Sequence, residues 1–154
     1  MFSILKKNMT ILFIISFIVA FTACSSDDPV APQEEHFEAI GTVIYDGTGA
    51  EIFRILRGVT NDTLFAKVGV LSDHYDVKFI NDDEQVVNPP DDDDLSMGID
   101  VANTNLLGIE QDEPGAFEFH LMGLAEGLTT IEIKILHGNH ADYRSGLIPV
   151  KITN

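Results

Sequence analysis

Gly127-Leu128-Thr129-Thr130-Ile131-Glu132-Ile133-Lys134-Ile135-Leu136-His137 is the stretch that decides the fold. Ile131, Ile133 and Ile135 share one parity, and Glu132 and Lys134 share the other. A period of two puts one row on each side of an extended chain, so the segment reads as a strand with one buried face. A helix would keep Ile131 and Ile135 together and carry Ile133 to the opposite side.

The same alternation extends outward in both directions. Phe117, Phe119 and Leu121 alternate with Glu118 and His120, and Tyr75, Val77 and Phe79 alternate with Asp76 and Lys78. Ala39, Gly41, Val43 and Tyr45 alternate with Ile40, Thr42 and Ile44. Turn formers punctuate these runs: Asp46-Gly47-Thr48-Gly49, Asn61-Asp62, Asn81-Asp82-Asp83, Pro89-Pro90, Glu113-Pro114-Gly115, Gly123 to Gly127, and Gly138-Asn139. No stretch after residue 24 sustains a helical repeat. The pattern predicts an all-β fold over residues 36–154, a single antiparallel β-sandwich. About 120 residues suffice for one domain with a real core and fall short of two.

The closing segments, Phe117 to Leu121, Gly127 to Ile133 and Ile148-Pro149-Val150-Lys151-Ile152, resemble the last strands of bacterial immunoglobulin-like domains. There a Gly-x-Thr-Thr-hydrophobic alternation leads into the penultimate strand. The resemblance covers the last third of the chain and implies an immunoglobulin-like sandwich. It says little about activity, because one sandwich hosts many functions.

The N-terminus carries a separate message. Lys6 and Lys7 precede an apolar run from Ile11 to Phe21, and Thr22-Ala23 then stand before Cys24, the single cysteine. Basic, apolar and small-residue regions in that order predict a signal peptide over residues 1–23. A spanning helix is the rival reading, but Asn8 to Ala23 is shorter than the about 20 apolar residues it needs. No basic cluster follows to stop transfer; Ser25-Ser26-Asp27-Asp28 follows instead.

Cys24 directly after the cleavage site resembles the lipobox of bacterial lipoproteins, with Phe21 where Leu is usual. The resemblance implies lipidation of the Cys24 thiol by a diacylglycerol of palmitate-type chains, with Cys24 as the new N-terminus. Stable anchoring takes more than one acyl chain, which such a group supplies. Ser25 resembles the outer-membrane sorting signal, and Ser-Ser-Asp-Asp resembles the acidic export tether of some surface lipoproteins. The expected location is the outer membrane, lipid-anchored, facing periplasm or cell surface. Cys24 is then unavailable as nucleophile, ligand or disulfide partner. Residues 24–35, with Pro29, Pro32 and four acids, read as an acylated flexible tether.

The net charge is −16, and loss of the leader makes it more negative, since the leader's charged residues are Lys6 and Lys7. Such a charge repels nucleic acid and anionic membrane surfaces. It leaves the lipid anchor as the membrane contact and a protein of the envelope as a possible partner.

His137-Gly138-Asn139-His140-Ala141-Asp142-Tyr143 is the richest polar cluster. Two imidazoles and a carboxylate suit zinc or copper, and Gly138-Asn139 permits a turn that joins the rings. His120 or His74 would complete the ligand set. Parity turns His137 inward with Ile131, Ile133 and Ile135 and turns His120 outward with Glu118, so a joint site needs a bulge or the sandwich rim. The alternative is structural: His137 caps the core, His140 and Asp142 bond loop backbone, and Tyr143 buries its ring with its hydroxyl on backbone. Asp82-Asp83-Glu84 and Asp91-Asp92-Asp93-Asp94 offer hard oxygens for calcium, but lack the alternating spacing and glycine of an EF-hand loop. A solvated loop is their plainer reading.

Catalytic motifs are missing: there is no Gly-x-Ser-x-Gly elbow and no phosphate-cradling glycine loop. The expectation is a non-catalytic binding or structural domain, with an adhesion or assembly module as the alternative. A small hydrolase is a distant third, since nothing selects a pair of carboxylates.

Overall fold

The computed structural model describes residues 37–154. The leader, Cys24, the tether to residue 35 and His36 lie outside the described residues. In chain order the strands are β1 (Gly41–Asp46), β2 (Glu51–Leu56), β3 (Leu64–Lys67), β4 (Tyr75–Ile80), β5 (Val86–Val87), β6 (Leu95–Val101), β7 (Leu107–Glu110), β8 (Glu118–Gly123), β9 (Gly127–His137), β10 (His140–Arg144) and β11 (Ile148–Thr153). Among the described residues there is no helix.

The strands form two sheets. One runs β2-β1-β4-β8-β7 with β5 beside β4; the other runs β10-β9-β11-β3 with β6 beside β9. One continuous core lies between them. Ile44, Phe53, Val77, Phe79, Phe119 and Leu121 come from the first sheet, and Met97, Ile131, Ile133, Ile135, Val150 and Ile152 from the second. The domain is therefore an all-β sandwich.

The deciding stretch behaves as its period requires. Along β9, Ile131, Ile133 and Ile135 are buried while Glu132 and Lys134 are half-buried on the other face. β9 is the spine of its sheet: β6 pairs along one side, and β10 and β11 share the other. In β8, Phe119 and Leu121 are fully buried, which turns Glu118 and His120 outward. β1 differs, because both its parities are buried. Thr42 and Ile44 face the second sheet, and Val43 on the other parity is equally buried.

One pairing departs from the antiparallel expectation. β3 and β11 run parallel, with Leu64 opposite Val150 and Phe65 opposite Lys151. A parallel pair needs a long connection, and seven strands lie between these two in the chain. No turn constrains their direction.

The two sheets are also joined by a polar contact. Thr42 Oγ1 and the Tyr143 hydroxyl lie 2.7 Å apart in the core, and the Tyr143 ring stands edge-on to Phe79 at 5.4 Å. The expected partner of the hydroxyl was backbone; it is a side chain of the opposite sheet. At the far end of β8, Gly123 is needed for close approach, since a Cβ there would lie 2.5 Å from the Lys67 carbonyl oxygen.

Candidate metal centres

β9 and β10 form a hairpin whose loop is Gly138-Asn139. Gly138 has φ +58°, a positive value that glycine adopts without steric cost and that two-residue hairpin turns require at their first loop position. The turn sets His137 and His140 directly opposite each other. Opposed cross-strand residues project to one side, and the two rings lie 5.3 Å apart.

A β-bulge supplies the third group. Ala141 pairs with Leu136 and Tyr143 with Ile135, so Asp142 is the extra residue in β10. A bulge breaks strict alternation. Tyr143 therefore enters the core while its neighbour Asp142 stays on the side of the histidines. The Asp142 side chain is fully buried. Its Oδ1 accepts from His140 Nε2 at 2.9 Å, and its Oδ2 lies 3.9 Å from His137 Nδ1. His137 Nδ1 is shielded from solvent and makes no hydrogen bond. His137, His140 and Asp142 each present a ligand atom to one small volume.

His120 and His74 are not part of this group. Both belong to a second constellation on the outward face of the first sheet. His74 directly precedes β4, His120 lies on β8, and their rings stand edge-on at 5.5 Å. Asp112, from the loop between β7 and β8, lies between them. Its Oδ1 is 3.5 Å from His120 Nε2 and its Oδ2 is 3.9 Å from His74 Nδ1. β8 lies in the first sheet and the hairpin in the second, and the outward parity of His120 turns it away from the core between them, so it does not complete the hairpin's ligand set.

The far side of each ring is held. His120 Nδ1 donates to the Ser72 carbonyl at 3.0 Å. His74 Nε2 donates to Asp76 Oδ1 at 3.2 Å and lies 3.1 Å from Glu118 Oε2. Asp76 and Glu118 are themselves directly opposed across β4 and β8. Like charges in that position repel, and the His74 N–H between them offsets the repulsion. Sequence reading missed Asp112, Asp76 and Glu118. The outward parity shared by Asp76, Glu118 and His120 was the available signal; the register that brings β4 beside β8 was not.

The acidic runs do other work. Residues 91–94 are exposed, and Asp92 Oδ1 accepts from the Asp94 N–H. The 82–84 run lies in a turn closed by Asn81, whose side chain accepts from the Gln85 N–H, with Glu84 at φ +59°. Among the described residues, the groupings of convergent ligand atoms contain none of these acids.

No protein-family model and no curated protein matches this chain. Among solved structures, domains 4 and 5 of the S-layer protein SbsC are similar at 18% identity and a TM-score of 0.38. The match covers 61% of this chain and 49% of that one, so it spans about half of that structure's length.

Proposed function

We propose that this chain is a bacterial lipoprotein, anchored in the outer membrane through acylated Cys24, whose immunoglobulin-like sandwich is non-catalytic and binds a divalent transition metal, zinc or copper. Its ligands are His137, His140 and Asp142. The observation that carries the metal reading is the burial of His137 Nδ1, without a hydrogen bond, opposite the enclosed Asp142 carboxylate. A buried polar atom of this kind calls for a partner. A divalent cation accepts the ring lone pair and neutralises the carboxylate in one step. Imidazole and carboxylate together suit zinc and copper better than calcium, which prefers oxygen alone.

The anchor and the metal are tested separately. Expressed in a Gram-negative host, the full chain is expected in the membrane fraction, and mass spectrometry of its N-terminal peptide should show Cys24 acylated. Cys24→Ser should release it to the soluble fraction; an unmodified Cys24 in the wild type would refute the anchor. Calorimetric titration after chelator treatment should show uptake of zinc or copper. His137→Ala/His140→Ala should remove one equivalent and leave the melting temperature of the metal-free protein within a few degrees. Unchanged stoichiometry in that variant defeats the hairpin site.

A second reading, an adhesion or assembly module without metal, has one observation in its favour. Phe65 and Leu128 flank Lys151 in register across β3, β11 and β9, and they are 63% and 73% exposed. Exposed apolar side chains on either side of one lysine on an outer sheet face suit a protein partner. Capture of an envelope protein that persists in chelator and is lost in Phe65→Ser/Leu128→Ser would favour this reading.

A further inference from the structure

We infer that the outward face of the first sheet carries a second, independent transition-metal site made by His74 Nδ1, His120 Nε2 and one carboxylate oxygen of Asp112. It shares no residue with the hairpin.

Proton positions lead to this conclusion. A carboxylate and a carbonyl oxygen only accept, so the nitrogens facing them carry the ring protons. His74 is therefore protonated at Nε2, toward Asp76 and Glu118, and His120 at Nδ1, toward the Ser72 carbonyl. In the neutral rings the remaining nitrogens, His74 Nδ1 and His120 Nε2, present lone pairs. Both lone pairs face the Asp112 carboxylate. Two lone pairs against an anion repel, and a cation between them turns the repulsion into attraction.

Distances favour a metal ion over a proton in that position. At 3.5 and 3.9 Å the two separations exceed the about 2.7–3.2 Å of an N–H···O hydrogen bond. Two ligands on one tetrahedral zinc stand about 3.3–3.4 Å apart, given zinc–nitrogen and zinc–oxygen bonds of about 2.0–2.2 Å. Asp112 is 60% exposed on its loop, so a few tenths of an ångström of adjustment costs it little. The rings are fixed from behind by carboxylates and a backbone carbonyl, the arrangement that sets tautomer and orientation in metal-binding histidines. His120 is the better seated of the two, with 15% of its side chain exposed. Two imidazoles and a carboxylate from the protein leave a fourth position for water or a partner's side chain.

The test is zinc stoichiometry in the full chain, purified in detergent and freed of metal. His74→Ala/His120→Ala should lose one equivalent that His137→Ala/His140→Ala retains. Full stoichiometry in the first variant overturns the site, as does a wild-type chain that takes up no zinc. Failure of the hairpin reading looks different: His137→Ala/His140→Ala then changes nothing, while His74→Ala/His120→Ala still removes an equivalent. Asp112→Asn, on an exposed loop, guards against misfolding as the cause. It should weaken zinc binding at this site at least about tenfold with the melting temperature of the metal-free protein unchanged, and Glu118→Ala should weaken it about tenfold through the His74 ring. Nitrogen NMR of the imidazoles adds a direct readout. Zinc should move His74 Nδ1 and His120 Nε2 and leave His120 Nδ1 protonated; unmoved resonances overturn the assignment.

Discussion

The hairpin from His137 to Tyr143 and the sheet face around His120 hold similar side chains in contrasting ways. The hairpin gathers its ligands from one short segment, using a two-residue turn and one bulge. The sheet face gathers His74, Asp76, Asp112, Glu118 and His120 from two strands, the residue before β4 and a loop. The hairpin encloses its carboxylate and already bonds it to His140 at 2.9 Å. The sheet face leaves Asp112 exposed and within hydrogen-bond distance of neither ring. Local covalent geometry makes a closed group, whereas strand register makes an open one with well-supported rings. The two should therefore respond to different perturbations.

The largest expected effect comes from the core beneath the sheet face. Phe119 is fully buried between Glu118 and His120 in sequence, opposes Tyr75 in register and meets the Tyr75 ring at 5.6 Å. Phe119→Ala should cost about 3–5 kcal/mol in urea unfolding, as deletion of a buried aromatic ring does. In whatever fraction stays folded, zinc binding at His74 and His120 should weaken more than binding at the hairpin. Equal weakening at both would show that the two groups are not mechanically separate.

Next in size is the anchor beneath the hairpin. Tyr143→Phe strands the Thr42 hydroxyl in the core, where an unsatisfied polar group costs about 1–3 kcal/mol. Burial pushes the Tyr143 hydroxyl up from 10.0 to about 12, against the opposing hydrogen bond from Thr42. The folded state thus favours the neutral phenol. That contribution is complete below pH 10, where both states are neutral, and is lost as pH rises toward about 12 and the unfolded chain ionises first. Wild-type stability should fall across that window, and Tyr143→Phe should flatten this part of the profile. An identical slope in both proteins would assign the loss to other groups.

How much of this was legible in the sequence follows from the same contrast. Alternation in β8 and β9 gave the buried faces, because period two acts on each strand alone. It could not give the partners of a strand, so the parallel β3–β11 pair and the β4–β8 register were hidden. The hairpin group was readable because Gly138-Asn139 and three candidate ligands stand together in the sequence, whereas the bulge that places Asp142 was not. His120 was correctly turned outward by its parity. Its partner Asp112 was not found, since a loop aspartate in a chain with 25 acids carries no distinguishing mark. β1 was ambiguous for another reason: with both parities apolar and both buried, alternation does not choose a face.

The smallest effect isolates the turn itself. A Cβ on Gly138 would meet nothing within 4 Å, so Gly138→Ala changes only the backbone preference at φ +58°. The left-handed region costs an L-residue about 1–2 kcal/mol, and less for Asn, whose short polar side chain bonds locally. Gly138→Ala should therefore lower stability by about that amount and Gly138→Asn by less, measured by the urea midpoint. Because the turn sets His137 opposite His140, the alanine variant should also weaken zinc at the hairpin. The sheet-face site, built without that turn, should keep its affinity in both variants. A parallel drop at His74 and His120 would mean that the hairpin and the opposite sheet move together, and the two regions would have to be treated as one coupled unit.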